Sequence, residues 1–484
     1  MKTNRSNSGI WKEPVPSKSW KKFPAFYLFT FLILFLVIHL FQFNGLYGQD
    51  SYEYVRYAGE CRNFLLHGMH PGPFRLSLLF PAIGGLLALI APVQETLQCI
   101  TLASLVVSAY LFEKIIQFQF KTGMLQARVY SFLFLLLSPF LLRIALTDMS
   151  DMPALCLLLA AWYAFVRLEE NYSAFLLSFF TAASCAAVMT RYGAFLLLLP
   201  PGFRIIQKYI RRISLRDIFL TVAPLLLLSL PYLLLRNNPF RSGLEHPWAT
   251  EWSPLNFLRS SFTNSNGNYH YTVQNIIYAF LSFFHPGFLF CGVLLVFYYG
   301  SINLTNTLNR ILIISLVLYA FLLAGIPFQN LRFPILAFPF FLLLVFPVYM
   351  QVSSMIKFNP IWLTTGIMLI QLGLFTKAFI PFYNSNKQER LIAVDCQAYP
   401  IHRLFTFSIS GALAFYDPGY TITDLWEYKL DSVPPNSYLL FNKDAFEKEY
   451  AGKNPMINYD FITTHYKLTT LKQWPDGWTL YEIR

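Results

Sequence analysis

The chain has 484 residues, 55% of them hydrophobic and 13% charged, with a mean hydropathy of +0.45 and a formal net charge of +12. Soluble domains carry about 25% charged residues, so the composition argues against a soluble fold and for a polytopic membrane protein. The placement of charge argues against a nucleic-acid partner: residues 1–24 hold Lys2, Arg5, Lys12, Lys18, Lys21 and Lys22 against Glu13, and 204–216 holds Arg204, Lys208, Arg211, Arg212 and Arg216 with no acid. Basic stretches that flank apolar runs mark cytoplasmic faces.

In chain order, the basic tail 1–24 precedes an apolar run at 25–43. That run is longer than a signal-peptide core and lacks a small-residue cleavage site, so it reads as a retained anchor. It delivers Asp50 to the extracytoplasmic side. The first outer loop, 44–96, holds a polar aromatic stretch and then an apolar run at 76–92, where Pro81, Gly84 and Gly85 suit an interfacial or re-entrant helix better than a span. This choice keeps Lys114, Lys121 and Arg128 on the cytoplasmic side. Spans are expected at 97–117, 128–142, 153–167, 173–190, 193–206 and 218–235. After a long outer loop at 236–275, further spans are expected at 276–299, 308–325, 333–350 and 361–379. The total is about eleven spans, with the N-terminus cytoplasmic and the C-terminus outside, as charge and parity both require. Residues 25–380 thus form a transmembrane domain and 381–484 a small extracytoplasmic α/β domain. In the latter, 437–442 has strand composition, a helix begins near Asp444, and the chain ends in a hairpin about Asp476-Gly477.

Polar groups near the outer interface come from several loops. Ionisable groups at membrane depth are costly and mark candidate sites. Asp50 is either an N-cap for the helix that follows or a general base for a hydroxyl or amine, and one residue can do both. Asp148 and Asp151 either cap the next span, with Pro153 in its first turn, or bind a hard divalent cation such as Mg or Mn. Arg332, Arg191 and Arg75 either neutralise a phosphate or snorkel to the interface. Tyr52, His246 and His270 are further candidates. The sequence contains no P-loop, GxGxxG, HExxH or GxSxG, which argues against nucleotide-driven or hydrolase chemistry.

Five segments, in this order, resemble the GT-C superfamily of polyprenyl-phosphate-sugar glycosyltransferases, in particular the protein O-mannosyltransferase and lipid A aminoarabinose transferase branch (family 39-like). QDSYEYVRYA (49–58) resembles the first-loop acidic motif, and HPGPFRLSLLFP (70–81) the Pro-containing helix after it. ALTDMSDMP (145–153) is similar to the second-loop acidic motif, TRYG (190–193) to the Thr-Lys/Arg turn, and NLRFPILAFP (330–339) to the arginine-aromatic-proline segment before a late span. The chain departs from the pattern in having Ser51 where many members carry a second acid, and His70-Pro-Gly-Pro in place of a double-proline helix start. The resemblance implies a membrane glycosyltransferase that moves a sugar from a polyprenyl-phosphate donor to a lipid, glycan or protein acceptor by inversion. Asp50 would be the base, Arg332 and Arg191 would face the donor phosphate, and Asp148 and Asp151 would serve the acceptor or a metal; no cofactor is otherwise required. A bacterial inner membrane is favoured over the endoplasmic reticulum. The alternative is a transporter or flippase of a lipid-linked or small solute, but transporters carry internal repeats and none is evident here.

Overall fold

The computed structural model describes residues 25–235, 250–264, 266–355, 360–416 and 419–484. Ten helices fill the first described segment: α1 (Ala25–Phe41), α2 (Gly48–His67), α3 (Leu79–Leu87), α4 (Val93–Phe120), α5 (Met124–Tyr130), α6 (Pro139–Ala145), α7 (Asp151–Glu170), α8 (Ala174–Thr190), α9 (Ala194–Tyr209) and α10 (Leu215–Leu235). Among the described residues, six helices are long and apolar enough to cross a membrane. α5 with the π-helical turn Ser131–Leu136, taken together with α6, is also long and apolar enough, but the pair is bent by 69° at Leu137-Ser138, the form of a broken span or a re-entrant loop. Such length and composition make this an integral membrane protein. Other expected spans appear as shorter apolar helices, α1 and α8 of 17 residues and α9 of 16.

Two expected spans differ in form. The run at 276–299 is broken into Asn275–Ala279, Leu281–Phe284 and Cys291–Tyr298. Pro286 opens a 3-10 turn there, and Gly287 lies so close to the Phe140 ring that a Cβ would meet it at 2.4 Å. Instead of stopping near 379, the last span continues as one helix, Pro360–Cys396, of 37 residues. At about 1.5 Å per residue it is about 55 Å long, well beyond a hydrocarbon core of about 30 Å. Its second half is a stalk for the C-terminal domain.

The two helices of the first loop do not cross. α2 alternates an exposed ion-paired face, where Arg56 holds Glu53 and Glu60, with a buried face of Tyr54, Tyr57, Ala58 and Cys61. α3 has nine residues, about 13 Å, and lies against α2. Gly85 allows that approach, because a Cβ would stand 2.6 Å from the Ala58 carbonyl.

The C-terminal domain is a five-stranded mixed sheet. With β1 (Ser261–Asn264) and β2 (Gly267–His270) forming a hairpin in the long loop, its strands are β3 (Arg403–Thr406), β4 (Thr421–Asp424), β5 (Ser437–Phe441), β6 (Leu468–Gln473) and β7 (Thr479–Ile483), in the order β4-β3-β5-β7-β6. β5 is buried along its whole length, as its unbroken apolar run requires in a sheet covered on both faces. The terminal hairpin turns at Gly477, whose φ of +94° is open to glycine. Two docking contacts fix the domain over the membrane part. Gln49 of α2 accepts from Gly411 N at 3.1 Å, and the β1–β2 hairpin donates from Asn268 N to Glu449 O at 2.7 Å.

Candidate active site

Four side chains from four elements meet at one end of the bundle. Asp50 stands in the first turn of α2, one helical turn before Tyr54 on the same face. It is not the cap of that helix: Tyr47 precedes the first turn, and Ser51 Oγ accepts from Tyr47 N at 2.7 Å. Asp151 opens α7, and Arg191 closes α8. Arg332 sits in the turn before the Pro334–Met355 helix, where Asn330 Oδ1 accepts from Arg332 N at 3.0 Å. That turn is fixed by two buried tyrosines, Tyr278 donating to Asn330 O at 2.7 Å and Tyr319 to Phe333 O at 2.8 Å.

The guanidinium of Arg332 bridges the two carboxylates. Nη1 donates to Asp50 Oδ2 at 2.7 Å, while Nη2 and Nε donate to Asp151 Oδ2 at 2.9 and 3.0 Å. On the far side of Asp151, Arg191 Nη1 lies 2.9 Å from Oδ1 as an ion pair without hydrogen-bond alignment. Burial pulls the Arg332 pKa down, but Asp151 and Asp50 outweigh it and hold the group above its ordinary range. Side-chain exposure grades the cluster: 0% for Asp151, 12% for Arg191, 15% for Arg332 and 43% for Asp50. Asp50 Oδ1 takes no hydrogen bond among the described residues. The cluster is therefore a neutral lattice of two acids and two bases with one carboxylate oxygen left open.

Asp50 lines a cavity of about 790 Å³. Asp50, Tyr54, Arg75, Arg191 and Arg332 line its floor, with Ser77 and Ser150. Tyr54 donates to Ser150 Oγ at 2.8 Å. One wall is apolar, from Leu196 of α9 and Leu322, Leu323 and Ile326 near the end of Thr307–Gly325. The roof comes from outside the membrane part: Asn266 and Tyr269 of the hairpin, and Phe407, Trp426 and Tyr450 of the C-terminal domain.

The remaining sequence candidates lie elsewhere. Asp148 is fully buried in the loop before α7, its backbone N–H donating to Gly45 O at 2.9 Å and its carboxylate packed against Gly45 without a hydrogen-bond partner. Burial raises its pKa well above the ordinary carboxylate value. It does not line the cavity, and Asp151 turns instead toward the two arginines. Among the described residues no three His, Cys, Asp or Glu side chains gather as a metal site. Tyr52 donates to Glu389 Oε2 of the stalk at 2.7 Å, away from the cavity. His270 bonds Ser261 Oγ across the β1–β2 hairpin. His246 lies outside the described residues. Tyr54 could have been found from its i+4 spacing to Asp50. The roof residues carry no signal in the sequence, because they converge only through the domain's docking.

No protein-family model matches the chain, and no curated protein sequence matches it. Solved structures do. ArnT from Cupriavidus metallidurans bound to undecaprenyl phosphate superposes with a TM-score of 0.55 at 12% identity over 95% of this chain and 97% of ArnT. Its apo form gives 0.56 at 11% identity. The oligosaccharyltransferase of Archaeoglobus fulgidus, tethered to an acceptor peptide containing the NVT sequon, gives 0.51 at 11% identity over 96% of this chain and 74% of that one. The chain has the GT-C fold. The match to ArnT runs through both the membrane part and the C-terminal domain, so the GT-C architecture holds across nearly the whole length.

Proposed function

We propose that this GT-C-fold protein is a glycosyltransferase that moves a sugar from a polyprenyl-phosphate carrier to an acceptor on the extracytoplasmic side of a bacterial inner membrane. The observation that carries the proposal is Asp50 lining an amphipathic cavity with one oxygen on the buried Arg332 and the other without a hydrogen bond among the described residues. The apolar wall of Leu196, Leu322, Leu323 and Ile326 suits the lipid of the donor, and the polar floor suits its phosphate and sugar. The orientation rests on the positive-inside distribution of Lys and Arg, which puts the basic 204–216 loop in the cytoplasm and the site outside.

In this mechanism the acceptor hydroxyl or amine attacks the anomeric carbon from the face opposite the phosphate. The bond from that carbon to the phosphate oxygen breaks, its electron pair leaves with the lipid phosphate, and the acceptor proton passes to Asp50. The anomeric configuration inverts. The donor phosphate competes with Asp50 for Arg332 Nη1, so donor binding frees the carboxylate that the step needs. Arg75 lines the same floor and makes no ion pair among the described residues, which suits it to the phosphate as well. Arg191 acts through Asp151, as the ion that balances its second oxygen. A divalent ion does not fit the acids present: both Asp151 oxygens are held by arginines and Asp148 points at Gly45.

The test is transfer of label from undecaprenyl-phosphate sugars in proteoliposomes, followed into lipid, glycan and protein fractions. Asp50→Asn should lower turnover by about 10²-fold or more while donor affinity is kept or raised, because the anion that competes with the phosphate for Arg332 is gone. Unchanged turnover in Asp50→Asn removes the base assignment.

A further inference from the structure

The roof of the cavity has a chemistry that the donor does not use. Four aromatic side chains from two separate segments line it: Tyr269 from the hairpin and Phe407, Trp426 and Tyr450 from the C-terminal domain. Phe407 and Trp426 are nearly parallel, with centroids 6.0 Å apart and planes 20° from each other, and Tyr450 stands edge-on to both at 75° and 84°. Trp426 is partly exposed at the cavity, and its backbone is fixed by Asp424 Oδ1, which accepts from Trp426 N at 2.9 Å. The roof is held down onto the membrane part by the Asn268–Glu449 hydrogen bond, beside Tyr450 itself. Asn266 and Asn330 line the same cavity with amide side chains. Three features therefore coincide in one cavity: preordered aromatic faces, amides, and no charged side chain among the C-terminal domain's cavity residues.

A lipid tail would not need the amides and is already served by the cavity's aliphatic residues Leu196, Leu322, Leu323 and Ile326. The C-terminal domain's residues that line the cavity offer an acidic or basic peptide no charged partner of their own. A pyranose ring has an apolar C–H face and a hydroxyl edge, and it matches a fixed aromatic face flanked by amide donors and acceptors. Aromatic rings supply such contact area at low conformational cost. We infer that Trp426, with Tyr450 and Tyr269, forms a carbohydrate-binding platform for the acceptor, so that the acceptor is a glycan or a sugar-bearing molecule and not a bare peptide or bare lipid. The inference rests on the transferase reading for the word acceptor, but the platform itself binds sugar without turnover.

The test separates the two. Saturation-transfer NMR is recorded on the full chain in nanodiscs with a panel of hexopyranose tri- to pentasaccharides, in α and β linkage, and with neutral peptides of similar length as comparators. The expected result is saturation of the sugar C–H protons for at least one glycan, reduced about tenfold or more in Trp426→Leu, which keeps an apolar side chain but removes the π face, and retained in Trp426→Tyr. Absence of signal from every glycan in the wild type overturns the platform, as does an equal signal in Trp426→Leu, or saturation of peptides in preference to sugars. If sugars bind as expected but label is never transferred from polyprenyl-phosphate donors, the transferase reading fails and the platform stands.

Discussion

Asp151 offers the most direct quantitative test of the site, because its carboxylate is fully buried and shared by two guanidiniums. In Asp151→Asn the amide keeps the volume but removes the charge. Arg191, 12% exposed, then loses its anion, and Arg332, 15% exposed, keeps only Asp50, itself 43% exposed. Breaking a buried ion pair by neutralising one partner costs about 3–5 kcal/mol, since the other charge stays buried without compensation. At the lower sensitivity of large domains, about 2 °C per kcal/mol, the melting temperature should fall by about 6–10 °C. The assay is fluorescence-detected size exclusion of the purified protein after heating, in one detergent throughout. A second variant, Asp151→Asn with Arg191→Gln, removes one of the stranded cations and should regain part of the loss, giving a positive coupling in the double-mutant cycle. Turnover should fall in both, because Arg332 loses the buried carboxylate that fixes its guanidinium beside Asp50. A melting temperature within about 2 °C of wild type for Asp151→Asn, or strictly additive losses in the double variant, refutes the account of Asp151 as the anion that holds both arginines in place.

Three further outcomes are expected. Asp148 is an acid whose folded pKa is raised by burial, so the folded state binds its proton more tightly than the unfolded one; its contribution is full below the unfolded pKa and is lost as pH rises through the folded value. Asp148→Asn should therefore match wild type in thermal stability at low pH and exceed it increasingly as pH rises, and a difference that stays flat with pH would contradict the burial argument. At Gly411 a Cβ would stand 2.7 Å from Gln49 Oε1 and 2.8 Å from Tyr52 Cβ, so Gly411→Val should cost about 1–3 kcal/mol by overpacking and should lower turnover by shifting α2, with Gly411→Ser milder; normal kinetics in the valine variant would show that the domain's docking does not position Asp50. Treatment with EDTA followed by gel filtration should leave sugar transfer within about twofold of the untreated enzyme, and loss of activity restored by Mg or Mn would show that the acids rearrange around a metal in the working state.

How much of this was legible in the sequence depended on whether the signal was local. The short proline- and glycine-bearing run at 76–92 could be read as a non-spanning helix because charge on the following segments required it, and α3 is indeed nine residues long. The terminal hairpin announced itself through Asp476-Gly477, and β5 through SYLLF. The extent of the last span was not legible: nothing in a hydropathy pattern says that a helix continues after the apolar run ends, and the stalk is held by polar contacts such as Tyr52–Glu389 and Asn386 Nδ2 to Leu46 O at 2.9 Å. The same distinction governs the site. Asp50, Asp151, Arg191 and Arg332 could each be singled out as charges at a membrane edge, yet nothing local pairs them, and spacing alone grouped Asp148 with Asp151. The three-dimensional arrangement separates those two acids, because the loop before α7 turns Asp148 to Gly45 while the helix start turns Asp151 to Arg332. A spacing of i and i+3 puts side chains on one face only inside a helix, and Asp148 lies outside it. The aromatic roof marks the limit of what a sequence can carry: Tyr269, Phe407, Trp426 and Tyr450 span the hairpin and three parts of the C-terminal domain, and only the docking of that domain on α2 and β2 turns them into one surface.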